Sequence, residues 1–193
     1  MKLQNKEIKD IVAAAAALTF IFSYPEFLSN PSIILISAMA IASGFVFHEL
    51  AHRSVANKFG VAARFKLWKE GLMIALILAI VTNGGFVFAA PGAVVINSLR
   101  FSLRGIISLG KREYGIISAA GPVTNIILAA LFVLAYYATA NHALAYAASI
   151  NVSLALFNMI PIPPLDGSKV ISWSAAAWAT IIAVIILFRI FLV

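Results

Sequence analysis

The chain has no cysteine among its 193 residues, which excludes disulfides and thiolate metal ligands and leaves the redox compartment open. Charge is also scarce. Asp, Glu, Lys and Arg make up 11% of the residues, with seven acidic side chains in all, and histidine occurs three times. A soluble domain carries about 25% charged residues and an apolar share near one half. This chain is 63% hydrophobic, with a mean hydropathy of +1.02. Such a balance excludes a soluble globular domain and implies an integral membrane protein in contact with the lipid bilayer. No internal repeat or low-complexity linker divides the sequence, so a single membrane domain over 1–193 is expected. The net charge of +7 would suggest nucleic acid in a soluble protein. Here the Lys and Arg residues cluster at the ends of apolar runs, where they set membrane orientation, and no nucleic-acid partner is expected.

Apolar runs predict helices over about 11–28, 32–57, 71–83, 114–138, 143–160 and 172–192. The expected fold is therefore all-α, a polytopic bundle of five or six transmembrane helices. Residues Ser23 to Phe27 are too bulky for a signal-peptidase site, so the first run is read as a retained span. Lys2, Lys6 and Lys9 place the N-terminus in the cytoplasm. The connector holding Lys58, Arg64, Lys66 and Lys69, and the one holding Arg100, Arg104, Lys111 and Arg112, are then cytoplasmic too. The segment between them, 71–98, then enters and leaves on one side as a re-entrant element. The alternative is a sixth ordinary span over 71–90, which would put four basic residues on the outer side. Within it, 86–90 and 93–97 flank Pro91-Gly92, a pair suited to a type II turn, and predict a short β-hairpin. Because an open sheet edge cannot face lipid, that hairpin must be buried, line a water-filled cavity or pair with another chain.

The second run contains His48-Glu49-Leu50-Ala51-His52. Residues four apart share a helix face, so both imidazoles can reach one metal while Glu49 stands beside it as a general base. His52 precedes Lys58 by six residues, about 9 Å of helix rise, which puts the motif near the cytoplasmic end. Of the acidic side chains, Glu7, Asp10, Glu26, Glu70 and Glu113 fall in connectors or at helix ends. Glu49 and Asp166 sit close to apolar runs, where an ionisable group needs a partner. Hydrolytic zinc sites take three protein ligands and keep a fourth position open. His142 lies in an outer loop and is read as solvated. Asp166 is the better third ligand, because Pro161, Pro163 and Pro164 end the preceding helix and allow the chain to turn a carboxylate inward.

Together, His48 to His52, Gly121-Pro122-Val123-Thr124-Asn125 and Asn158 to Gly167 resemble the ordered signatures of the site-2 protease family of intramembrane zinc metalloproteases. The motif core spans 32–170. The resemblance implies His48, His52 and Asp166 as ligands of one Zn2+ and Glu49 as the catalytic base. It further implies cleavage of a transmembrane protein or peptide near the cytoplasmic side of a prokaryotic cell membrane. No accessory peptide-binding or nucleotide-sensing module is recognisable, so a minimal catalytic core is expected. Asn125 either supports the reacting carbonyl or bridges helices. Asn158 either touches substrate or caps a helix end. Two other functions use the same residues: a metal-ion transporter, which would need ligands at successive depths, and a silent binder of membrane helices, which would have no use for Glu49.

Overall fold

The computed structural model describes residues 5–88, 91–96, 99–102 and 105–191. Among these, seven helices and four short strands follow one another: α1 (Asn5–Ser23), α2 (Ser32–Lys58), β1 (Ala63–Leu67), α3 (Lys69–Val81), β2 (Gly92–Ile96), β3 (Leu99–Ser102), β4 (Gly105–Ser108), α4 (Lys111–Thr139), α5 (His142–Asn158), α6 (Asp166–Trp173) and α7 (Ala175–Phe191). Two of them, α2 and α4, are long and apolar enough to cross a membrane. α4 is the hub, packing on α2, α5 and α6. Small residues let the helices approach closely, as expected where lipid competes for apolar contact. Ala14, Ala40 and Ala147, for example, are buried with Leu18, Ile41, Phe45, Ile150 and Leu154.

The first helix begins six residues before the predicted start because its polar end has partners. Glu7 is 7% exposed, accepts from the Phe65 backbone N–H at 3.2 Å and faces Arg53 Nη1 at 3.5 Å. Pro25 has no N–H to continue the helix, and α1 gives way to a 3-10 turn over Glu26–Leu28. The predicted run 172–192 is instead two helices. Ser174 breaks it with extended backbone, and its Oγ accepts from Ala177 N at 3.1 Å, capping α7.

The hairpin expected around Pro91-Gly92 is not formed. Residues 86–88 carry no strand, and residues 89–90 and 97–98 lie outside the described residues. β2 pairs antiparallel with β1 instead, Phe65 facing Val94 and Lys66 facing Ala93. The Trp68 N–H donates to the Pro91 carbonyl at 3.0 Å and continues that ladder. This pairing wins because β1 alternates apolar and basic residues, and its Ala63 and Phe65 bury on the same side as Val94 and Ile96. The segment through α3 thus leaves the sheet at β1 and returns to it at β2. At 13 residues, α3 is about 20 Å long. Further on, β3 pairs antiparallel with β4.

Ladder geometry fixes which way the backbone groups point. The Trp68 bond makes Trp68/Pro91, and hence Lys66/Ala93 and Arg64/Val95, the hydrogen-bonded pairs, so the N–H and C=O groups of Phe65, Gly92 and Val94 point away from the sheet. Glu7 covers the Phe65 N–H on the β1 edge. The β2 edge has no strand partner among the described residues.

Candidate metal centre

His48 and His52 lie one turn apart on α2, 3% and 1% exposed. Their Nε2 atoms are 3.0 Å apart. Asp166, the first residue of α6, brings Oδ2 to 3.3 Å from His48 Nε2 and 3.0 Å from His52 Nε2. Among the described residues these three form the group of His and acidic side chains able to hold one metal ion. The carboxylate arrives there because α5 ends at Asn158, the proline segment crosses over, and α6 starts hard against the end of α5. Gly167 allows this close approach. A Cβ at position 167 would lie 2.2 Å from the Met159 carbonyl oxygen. The reason for glycine is therefore backbone proximity rather than a turn.

The hydrogen bonds on the far side of each ring decide the protonation pattern. His52 Nδ1 lies 2.7 Å from the Ile117 carbonyl, which can only accept, so Nδ1 carries the proton. Asn125 Nδ2 donates to the Gly44 carbonyl and to Asn151 Oδ1, both at 3.0 Å. That orientation leaves Asn125 Oδ1 as an acceptor, 2.6 Å from His48 Nδ1. Both rings are thus held with Nδ1–H outward and the Nε2 lone pair inward. With both rings neutral, two lone pairs and a carboxylate oxygen face one another at about 3 Å, an arrangement that calls for a cation at its centre. Tetrahedral zinc with bonds near 2.0–2.1 Å sets its ligand atoms about 3.3 Å apart, so the observed triangle fits. Gly121 of α4 keeps the space open, since a Cβ there would lie 2.4 Å from His52 Nε2 and 2.5 Å from His48 Nε2.

Glu49 lines the same cavity, together with Gly92 and Val94 of β2 and with Asn158. Its Oε2 is buried without a hydrogen-bond partner. A carboxylate oxygen beside a metal centre and free of structural bonds has the placement a base needs. The other orphaned side-chain oxygens, among the described residues, belong to Glu7 and Ser118. Lys169 reaches the outer oxygen of Asp166 at 3.7 Å and the Pro164 carbonyl at 3.2 Å.

Sequence reasoning placed Asn125 at the reacting carbonyl or between helices. Its amide bonds to His48, Gly44 and Asn151, three contacts that join α2, α4 and α5 and orient a ring. Asn158 donates to the Leu154 carbonyl at 2.9 Å while lining the cavity. His142 starts α5 and packs on Tyr136, outside the cluster. Asn151 and Ile117 were missed. A backbone carbonyl leaves no trace in sequence, but Asn151, a polar residue inside an apolar run, was a visible signal.

The family model for Peptidase family M50 matches residues 136–182. A Methanocaldococcus jannaschii protein named "Putative zinc metalloprotease MJ0611" is 39% identical over 185 residues, covering 93% of this chain and 91% of that protein. The chain belongs to peptidase family M50, the site-2 protease family. This M50 chain is thus a metalloprotease. It is also 30% identical over 171 residues to a Bacillus subtilis protein named "Putative zinc metalloprotease YwhC", covering 76% of this chain and 72% of that one. No solved structure matches the M50 chain.

Proposed function

We propose that this M50 chain is a zinc-dependent intramembrane endopeptidase that cuts transmembrane segments of membrane proteins near the cytoplasmic face. The observation that carries the proposal is the triangle of two Nε2 atoms and one carboxylate oxygen beside an unpartnered Glu49, on a helix able to cross a membrane. His48, His52 and Asp166 are its ligands. Bound zinc supplies Lewis-acid activation of water and of the scissile carbonyl. Glu49 takes a proton from the attacking water and delivers it to the leaving amine nitrogen as the C–N bond breaks. Asn125 and the Ile117 carbonyl hold the two rings in the tautomer that ligation requires.

A single domain fits, with five spans: α2 and α4, and also α1, α5 and α7, whose 17 to 19 residues reach about 26–28 Å. On that reading α3 and α6 are too short to cross. The N-terminus is cytoplasmic, and the archaeal and bacterial relatives suit a prokaryotic cell membrane. The substrate is a transmembrane protein or peptide whose helix unwinds locally before cleavage. The outward N–H and C=O groups of Gly92 and Val94 border the metal cavity, and an unwound stretch adds there as a strand. Transport would call for successive ligand sets, whereas the described residues hold one.

The full chain in lipid nanodiscs, given a labelled transmembrane peptide, should cut it. Cutting should stop with a zinc chelator, return with zinc, and be lost in Glu49→Gln at unchanged zinc content. Cleavage that survives the chelator or Glu49→Gln would overturn the assignment.

A further inference from the structure

Beside the metal centre lies a second cavity of about 120 Å3, enclosed by Ile8 and Val12 of α1, Val46 and Leu50 of α2, and Phe65 and Val94 from the inner face of the first sheet. Its walls are mainly apolar, with the charged residues Glu7, Glu49, Arg53 and Arg64 also among the lining. There Arg53 faces Glu7, and Glu7 Oε2 is buried without a partner. Glu49 and Val94 line both this cavity and the metal cavity, so the two spaces share a wall made by the proposed base and one strand residue.

We infer that this cavity receives the apolar side chain of the substrate residue flanking the scissile bond, which makes Ile8, Val12 and Val94 specificity-determining residues; the inference rests on the proteolytic reading above. A base must stand within about 3 Å of the nitrogen it protonates. Adjacent Cα atoms are 3.80 Å apart. A peptide placed for Glu49 therefore sets a neighbouring side chain at the mouth of this cavity. An apolar cavity of about 150 Å3 holds a benzene ring, so about 120 Å3 suits Leu, Ile or Met and is too small for Trp. Bringing an ionised carboxylate among these mainly apolar walls costs more than bringing an alkyl side chain. Ile8 and Val12 are 43% and 60% exposed, so the mouth also opens along α1. This rim allows bulky substitutions without overpacking a core.

The test uses transmembrane peptides carrying Ala, Leu, Trp or Asp on either side of the cut. Initial cleavage rates with the full chain are read beside peptide binding to the inactive Glu49→Gln protein. Wild type should favour Leu over Ala by about 10–200-fold and over Asp by more. Val12→Trp and Ile8→Trp, which fill the cavity, should bring the Leu-to-Ala ratio within about threefold in both readouts, with zinc content intact. Val46→Ala, which enlarges it, should admit Trp. Ratios that stay unchanged in both the filling and the enlarging variants, or equal losses for every peptide, overturn the inference and point to a lipid chain as the occupant. Wild-type cleavage that does not depend on Glu49 would instead sink the proteolytic assignment itself.

Discussion

Gly121→Ala adds one methyl group, and the structure makes it a metal-site change rather than a helix change. Alanine raises intrinsic helix propensity by about 1 kcal/mol over glycine, so α4 should form at least as readily. The new Cβ would sit 2.4 Å from His52 Nε2 and 2.5 Å from His48 Nε2, where 3.4 Å is ordinary contact. Each ring must therefore retreat by about 1 Å. The bonds from Nδ1 to Asn125 and to the Ile117 carbonyl, 2.6 Å and 2.7 Å, cannot absorb that and stay within hydrogen-bond range and alignment. Loss of one such outer partner costs about 10–100-fold in metal affinity, so displacing both rings should cost about 10²–10⁴-fold. Zinc content of the purified variant, measured by mass spectrometry after dialysis against buffered zinc, should fall far below one ion per chain. Circular dichroism and elution volume should stay those of the wild type. A Gly121→Ala protein that holds one zinc with affinity within about threefold of wild type would refute both the cradle and the ligand set.

Asn125→Leu should leave the His48 Nδ1–H and Asn151 Oδ1 buried without the partners they have now, at about 1–3 kcal/mol each. Thermal denaturation should register the loss, and zinc affinity should drop about 10–100-fold; normal zinc binding would mean another group holds the ring. Lys169→Met should lower zinc affinity by no more than about fivefold, because this pair is 3.7 Å long and its lysine is 25% exposed. A hundredfold effect in titration would show that Lys169 does more than steady Asp166. Val94→Pro should remove an N–H from the outer β2 edge and slow cleavage at unchanged zinc content, whereas Ala93→Pro should break the β1 ladder and lower the melting temperature. Equal melting temperatures for the two variants would contradict the pairing.

Much of the site could be read from the sequence because its parts are local. A helix period brings His48 and His52 to one face, and three prolines end α5 shortly before Asp166. Apolar runs marked all the long helices because lipid exposure demands them. Other features depended on what a residue meets elsewhere in the chain. β1 looked like a basic connector because its alternation extends over five residues and its partner lies 25 residues beyond it. Glu7 looked like an exposed end residue, yet Phe65 and Arg53 hold it in place.

The order of the chain alone determined the apolar character, most of the helix pattern and the pairing of His48 with His52 beside Glu49 on one helix, since each follows from composition or from spacing along one helix. Only the tertiary structure decided which nitrogen of each ring faces Asp166, that Gly121 must lack a side chain, and that Glu49 lines two cavities. These depend on contacts between α2, α4, α6 and β2. Distances between segments far apart in sequence are set by packing and leave no periodic signal in the chain.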